Sequence, residues 1–238
     1  LEILPIALLI VTAIFLIQQF GTAAIGTSFG PIMFLWFSMI SILGLIQVFH
    51  FPAILTAFNP YYAVQLIATH PHSLLLLGAV FLCTTGAEAI YTDLGHCGIR
   101  DIRVSWIFVK TALLLSYLGQ GAWIILHPQL SGHYVNPFFA IMPWWFLPFG
   151  VLLATVAAVI ASQALISASF TLVSEAIQLS LWPKVKISYP TTRKGQMYIS
   201  SVNWLLFIAV LIVILTFRNS GNMEAAYVLS ITVTMLMT

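Results

Sequence analysis

Of 238 residues, 61% are hydrophobic and only 6% charged, and the mean hydropathy is +1.06. That leaves too little polar surface to cover a water-soluble globule, so lipid is the natural solvent. The net charge of +2 is small and the eight Lys and Arg form no basic stripe, which removes nucleic acid as an expected partner.

A transmembrane helix needs roughly 20 apolar residues to cross about 30 Å of hydrocarbon. Apolar runs with turn punctuation predict spans at Ile3 to Ile17, Ile32 to Val48, Ser73 to Ile90, Ser105 to Leu126, Trp144 to Phe170, Ile199 to Phe217 and Ala225 to Thr238. The predicted class is therefore an all-α polytopic membrane protein with seven transmembrane helices. The chain enters its first apolar run directly from Leu1 and is still apolar at Thr238, so it reads as a piece of a longer protein, incomplete at both ends. Cys83 and Cys97 show neither a CxxC spacing nor a secreted disulfide pattern.

Lys and Arg in short loops are retained on the cytoplasmic side. Arg100 and Arg103 follow the third span and Lys184, Lys186, Arg193 and Lys194 the fifth, whereas the loops after the second and fourth carry none. The charged loops thus face the cytoplasm and Leu1 lies outside, with Arg218 the one mild contradiction. An outside start implies an odd number of upstream helices if the parent protein starts in the cytoplasm. Trp123, Trp144 and Trp145 at outer boundaries, and Trp106 and Trp182 at inner ones, fit that frame.

Polar residues at membrane depth are the informative ones. Glu88 stands about 15 residues into the third span, roughly 22 Å from its outer end. A carboxylate there costs about 3 kcal/mol on insertion scales, so it faces a bundle interior, a partner or a water-filled path. The alternative is a protonated or paired Glu that only joins helices. Thr84, Thr85 and Gly86 precede it. A broken helix whose free carbonyls coordinate an ion, and an intact helix with both hydroxyls bonded back to it, fit these residues equally. Asp93 and His96 lie one turn apart toward the cytoplasmic end, as a proton step, an inner gate or a solvated helix terminus. Ser162, Gln163, Ser167 and Ser169 make a polar stretch in the fifth span; Thr155 and Asn203 stand alone in theirs and read as packing and hydrogen-bonding groups. Tyr227, Ser230, Thr232 and Thr234 place hydroxyls in the last span. His70, His72, His127 and His133 sit in outer loops, where His70 with His72 is a weak metal pair. The HExxH motif of zinc-dependent membrane enzymes is absent from the sequence.

The string Thr85-Gly-Ala-Glu-Ala-Ile-Tyr-Thr-Asp-Leu-Gly-His96 resembles the TGAEALYADxGHFG segment of the Kup/HAK/KT potassium uptake family. Further strings agree in order: Tyr117-Leu-Gly-Gln-Gly-Ala122, Asn136-Pro-Phe-Phe139, Val159-Ile-Ala-Ser-Gln-Ala-Leu-Ile-Ser167, Gln178 and Leu179, Val202-Asn-Trp-Leu-Leu206, and Phe217-Arg218. The resemblance covers the whole chain and aligns it with the family's fourth to tenth helices, leaving three upstream. It implies the inverted-repeat (5+5) plan of the amino acid-polyamine-organocation superfamily, with 1–238 a partial transport domain, 1–71 the end of the first repeat with a connecting loop and 72–238 the second repeat. It implies potassium uptake, in bacteria a K⁺/H⁺ symport, in the cell membrane. By motif, Thr85 and Glu88 match the K⁺-binding and proton-coupling positions, and Tyr227 matches a site-lining tyrosine; Asp93 and Ser162 are further pore or gate candidates. Around Tyr227 the pattern departs, with Val228 and Val233 where the family often has glycines, and the first-helix GDIGTSPLY motif is absent, so the piece alone is not expected to transport. No cofactor is expected beyond the transported K⁺ and H⁺; the expected partners are potassium, protons and membrane lipid, with a homodimer as the assembly to test. The competing readings are a membrane-embedded enzyme using Glu88, Asp93 and His96, and a non-transporting helical scaffold.

Overall fold

A chain in hydrocarbon must satisfy its own backbone, so these apolar runs have little choice but to be helices. The computed structural model describes residues 3–20, 23–69, 77, 80, 98–130, 135–189, 197–218 and 220–237. In chain order the helices are α1 (Ile3–Ile17), α2 (Ala23–His50), α3 (Pro60–Thr69), α4 (Ile99–Leu126), α5 (Pro137–Ala140), α6 (Leu147–Gln178), α7 (Ser200–Phe217) and α8 (Ser220–Met237). Short 3-10 segments occupy Gln18–Phe20, Pro52–Phe58 and Pro128–Leu130. Among the described residues, four helices are long and apolar enough to cross a membrane: Ser28–His50 within α2, and all of α4, α6 and α7. The predicted span Ser73 to Ile90 lies outside the described residues apart from Leu77 and Val80.

The first and sixth predicted spans match α1 and α7 to within a residue, but α2, α4, α6 and α8 are longer or shifted. The second span starts at Ala23 instead of Ile32, because the helix continues through Gly30 and Pro31. Proline removes one hydrogen bond, yet a membrane helix tolerates this where neighbouring groups re-satisfy the carbonyl. The fourth begins six residues before Ser105, taking in Arg100, Asp101 and Arg103, and Asp101 in its first turn suits the positive end of the helix dipole. The fifth begins after the Pro143–Phe146 turn, with Phe146 N–H bonded to the Pro143 carbonyl at 2.9 Å. It runs eight residues past Phe170.

Residues read as outer loops also hold helices. Asn59 accepts a hydrogen bond from the Tyr61 N–H at 3.0 Å ahead of α3, and Asn136 does the same for Phe138 at 3.0 Å ahead of α5. In both, proline follows the asparagine, the residue best suited to the first helical position.

The described residues group into two compact units. One lies within 27–70 and 97–161. Its core joins Met39 and Ile40 of α2, Ala112 of α4, Met142, and Leu153 of α6, with Trp36, Phe138 and Phe146 packed against it. Phe34 stacks on Phe108 at 5.1 Å, and Trp36 packs tilted against Phe138 at 5.6 Å. α2 and α4 meet backbone to backbone: a methyl added to Gly119 would lie 2.5 Å from Gly44 Cα, and one on Gly44 would overlap the Leu115 carbonyl. Ala112, Ser116, Gly119 and Ala122 form the buried small-residue line on α4 that permits this approach.

The other unit lies within 1–26, 71–96 and 162–238. Here α1 packs on α7, with Phe15 5.4 Å from Phe207, and α7 packs on α8. α6 ends with Ser180 in the left-handed region at φ 60°, its N–H bonded to the Ile177 carbonyl and the Leu181 N–H to Ala176, the paired closure that usually employs glycine. Ser188 and Tyr198 then exchange both backbone hydrogen bonds, at 2.9 and 2.8 Å, and bring the chain back to α7. Phe170, fully buried, meets the Tyr198 ring edge-on at 5.8 Å, beside the equally buried Ile199.

Candidate functional site

Three of the five site residues read from the sequence, Thr85, Glu88 and Asp93, lie outside the described residues, as do His70, His72, His96 and His133. Tyr227 and Ser162 are described, both in the second of the two units.

Tyr227 sits on α8, half exposed, on the wall of an open groove of about 460 Å³ formed with Val213 and Phe217 of α7 and Met223, Glu224, Ala226 and Ser230 of α8. Glu224 and Ser230 stand three residues before and after it, so one helix face carries a carboxyl, a phenol and a hydroxyl in succession. The Ser230 hydroxyl donates to the Ala226 carbonyl at 2.9 Å and Thr232 to Val228 at 2.8 Å. A hydroxyl that donates to its own helix can offer only its oxygen to a ligand, which suits a cation better than an anion. Sequence reasoning passed over Glu224 because it precedes the apolar run.

Ser162 is half-buried on α6 and hydrogen-bonded, next to Gln163, which is 6% exposed and whose Oε1 has no partner among the described atoms. Further along, Ser169 donates to Leu165 at 2.9 Å and Thr171 to the Ser167 carbonyl at 3.2 Å. Thr155, in the first unit, donates to Val151 at 2.9 Å. These hydroxyls bond back to their own helix, so the described bonds of the polar stretch, read from the sequence as joining helices, are local.

Asn203 does join helices. It is 2% exposed and its Nδ2 donates to the Phe15 carbonyl of α1 at 3.3 Å, which fixes the amide's orientation and leaves Oδ1 without a partner among the described atoms. A membrane hydrogen bond of this kind is worth about 0.6 kcal/mol, and the orphan oxygen costs a similar amount or more. Asn203→Leu is therefore expected to stay within about 1 kcal/mol of wild type, and Asn203→Asp, which puts an oxygen against the carbonyl, to lose about 3 kcal/mol. Thermal unfolding of the detergent-solubilised protein checks both.

Among the described residues no group of three or more His, Cys, Asp or Glu gathers to hold a metal. His127 is occupied structurally: its Nδ1 lies 3.0 Å from the Trp123 carbonyl and its ring stacks on Trp123 at 4.7 Å, closing the end of α4. A residue the sequence reading missed is Lys110, inside the predicted fourth span, whose Nζ lies 4.1 Å from the centre of the Trp106 ring. Counting only loop charges hid it.

The family model described as the K⁺ potassium transporter integral membrane domain matches residues 1–238. The chain is 57% identical over 241 residues to the probable potassium transport system protein Kup of Flavobacterium johnsoniae, covering 99% of this chain and 37% of that protein. It is 52% identical to the probable potassium transport system protein Kup 1 of Lactococcus lactis subsp. lactis, covering 100% and 36%, and 51% identical to the Kup protein of Clostridium perfringens, covering 99% and 37%. The chain thus spans a little over a third of the length of these relatives. No solved structure matches it. With the membrane-capable helices, these matches make the chain part of a multi-pass membrane protein, and it belongs to the K⁺ potassium transporter integral membrane domain family.

Proposed function

We propose that the full-length protein is a transporter that takes up potassium across the cell membrane by secondary active transport, as a K⁺/H⁺ symporter, and that this chain is part of its transport domain. The observation that carries this reading is the family match over residues 1–238, and the relatives' names supply the ion. Thr85 and Glu88 bind K⁺ and couple it to the proton: hydroxyl and carbonyl oxygens replace the ion's hydration, and a carboxyl at membrane depth holds either a cation or a proton. Asp93, Tyr227 and Ser162 line or gate the path. The proposed architecture is seven spans of an inverted 5+5 plan, residues 1–71 closing the first repeat and 72–238 forming the second, in a protein that contacts membrane lipid and pairs as a homodimer. The groove lined by the Glu224 carboxyl, the Tyr227 phenol and the Ser230 hydroxyl supports a cation route there.

The test is low-K⁺ growth and Rb⁺ uptake by the full-length protein in a bacterium lacking its own K⁺ uptake. Uptake above the host background is expected; none at any pH rejects the transporter reading.

A further inference from the structure

Lys110 is the residue of α4 that hydropathy least accommodates. It lies seven residues beyond Arg103, about 10 Å along the axis, and four beyond Trp106, about 6 Å. Trp106 and the 20 residues after it span about 31 Å, the full hydrocarbon thickness, so the aromatic ring marks the interface and Lys110 starts one turn below it. Its side chain runs back toward the helix N-terminus, as Cβ geometry favours, and lays its ammonium on the Trp106 ring at 4.1 Å.

The packing face of α4 is the line of Ala112, Ser116 and Gly119. At roughly 100° per residue, Arg103 and Lys110 fall about 160–180° from Ala112, on the opposite face, and Trp106 lies beside them. All three are exposed, Trp106 at 48%, whereas Asp101 projects from the packing side. The outward face thus presents two cations, one helical repeat apart, flanking an interfacial tryptophan, with no acidic residue on that face between them.

We propose that this face holds the headgroup of an anionic phospholipid of the cytoplasmic leaflet, its phosphate between Arg103 and Lys110, its glycerol beside Trp106 and Ile107, and its acyl chains running deeper along the exposed Leu114. Charge complementarity selects the occupant: the cytoplasmic leaflet is the anionic one in the orientation set by the loop charges, and each basic residue near it favours an acidic headgroup. The site is independent of the ion carried.

The experiment uses full-length protein in nanodiscs of phosphatidylglycerol and phosphatidylethanolamine. Photo-crosslinking with a headgroup-proximal phosphatidylglycerol probe is expected to label the peptide containing residues 103–110, and native mass spectrometry to show phosphatidylglycerol retained preferentially. Lys110→Gln is expected to lower that preference about fivefold and Lys110→Arg to keep it. Labelling elsewhere only, equal retention of both lipids, or a preference unchanged in Arg103→Gln/Lys110→Gln overturns the proposal. So does an amine crosslink that joins Lys110 to another segment of the full-length protein, which would show protein and not lipid on this face.

Discussion

Exchanging Glu88 for Gln in the full-length protein is expected to abolish K⁺-dependent growth and reduce Rb⁺ uptake to the host background at matched expression. A carboxylate at membrane depth is held at about 3 kcal/mol or more against insertion, and glutamine, nearly the same in shape, keeps the hydrogen-bonding capacity while removing both the charge and the exchangeable proton. If the carboxyl only joined helices, the amide would replace it with little loss, because membrane hydrogen bonds of either kind are weak. If it couples proton and cation, no amide can substitute. Uptake by wild type with none by the variant assigns Glu88 to the transport step; normal uptake by both leaves the protein a transporter and reduces Glu88 to packing. Asp93→Asn and His96→Gln in parallel separate the enzyme reading, which requires those two as strictly as Glu88.

The second large effect is structural. Gly119→Leu is expected to lower stability by about 3 kcal/mol or more and to deplete folded protein from detergent extracts, with Gly44→Leu close behind. The neighbours on both sides are main chain: Gly44 Cα, carbonyl carbon and oxygen face Gly119, and the Leu115 carbonyl and Ser116 Cα face Gly44. No rotamer change relieves a clash with backbone, so α2 and α4 must separate along their length and lose the contacts of Met39 and Ile40 with Ala112. Gly30 and Gly221 provide the control, since nothing lies within 4 Å of a Cβ added at either. Gly30→Ala is expected to be neutral or up to about 1 kcal/mol stabilising through helix propensity. Unfolding midpoints by intrinsic tryptophan fluorescence compare the variants, and a Gly119→Leu protein as stable as Gly30→Ala would show that the seam does not hold the two helices.

What the sequence made legible follows from what hydropathy measures. It reports where the bilayer ends, whereas backbone hydrogen bonding determines where a helix ends. The two coincide at Ile17 and Phe217, and those boundaries were readable. They part company where polar residues continue a helix into the headgroups, as Thr171, Ser174 and Glu175 do in α6, or where a proline lies within one, as in α2. α3 and α5, at 10 and 4 residues, are too short to register as spans, although Asn59-Pro60 and Asn136-Pro137 announce both by capping chemistry. Among site residues, the reading of Asn203 as a hydrogen-bonding group between helices was available from its isolation in an apolar run. Its partner was not, because Phe15 is 188 residues away in sequence and the acceptor is main chain. Lys110, a charge within a span, was passed over by a count of loop charges, and the Trp106 contact shows how it is accommodated.

The Gly44–Gly119 seam also constrains biogenesis. Its halves lie about 75 residues apart. At 5–20 residues per second, α2 waits about 4–15 s in the bilayer before the surface it matches has been synthesised. During that interval its glycine notch faces lipid or the insertion machinery, open to any other close-packing helix that passes. A slowly translated stretch between the two glycines would lengthen the exposure, so variants that weaken the seam should show their greatest losses when elongation is slow, as misassembly in the membrane and not as unfolding of the finished protein.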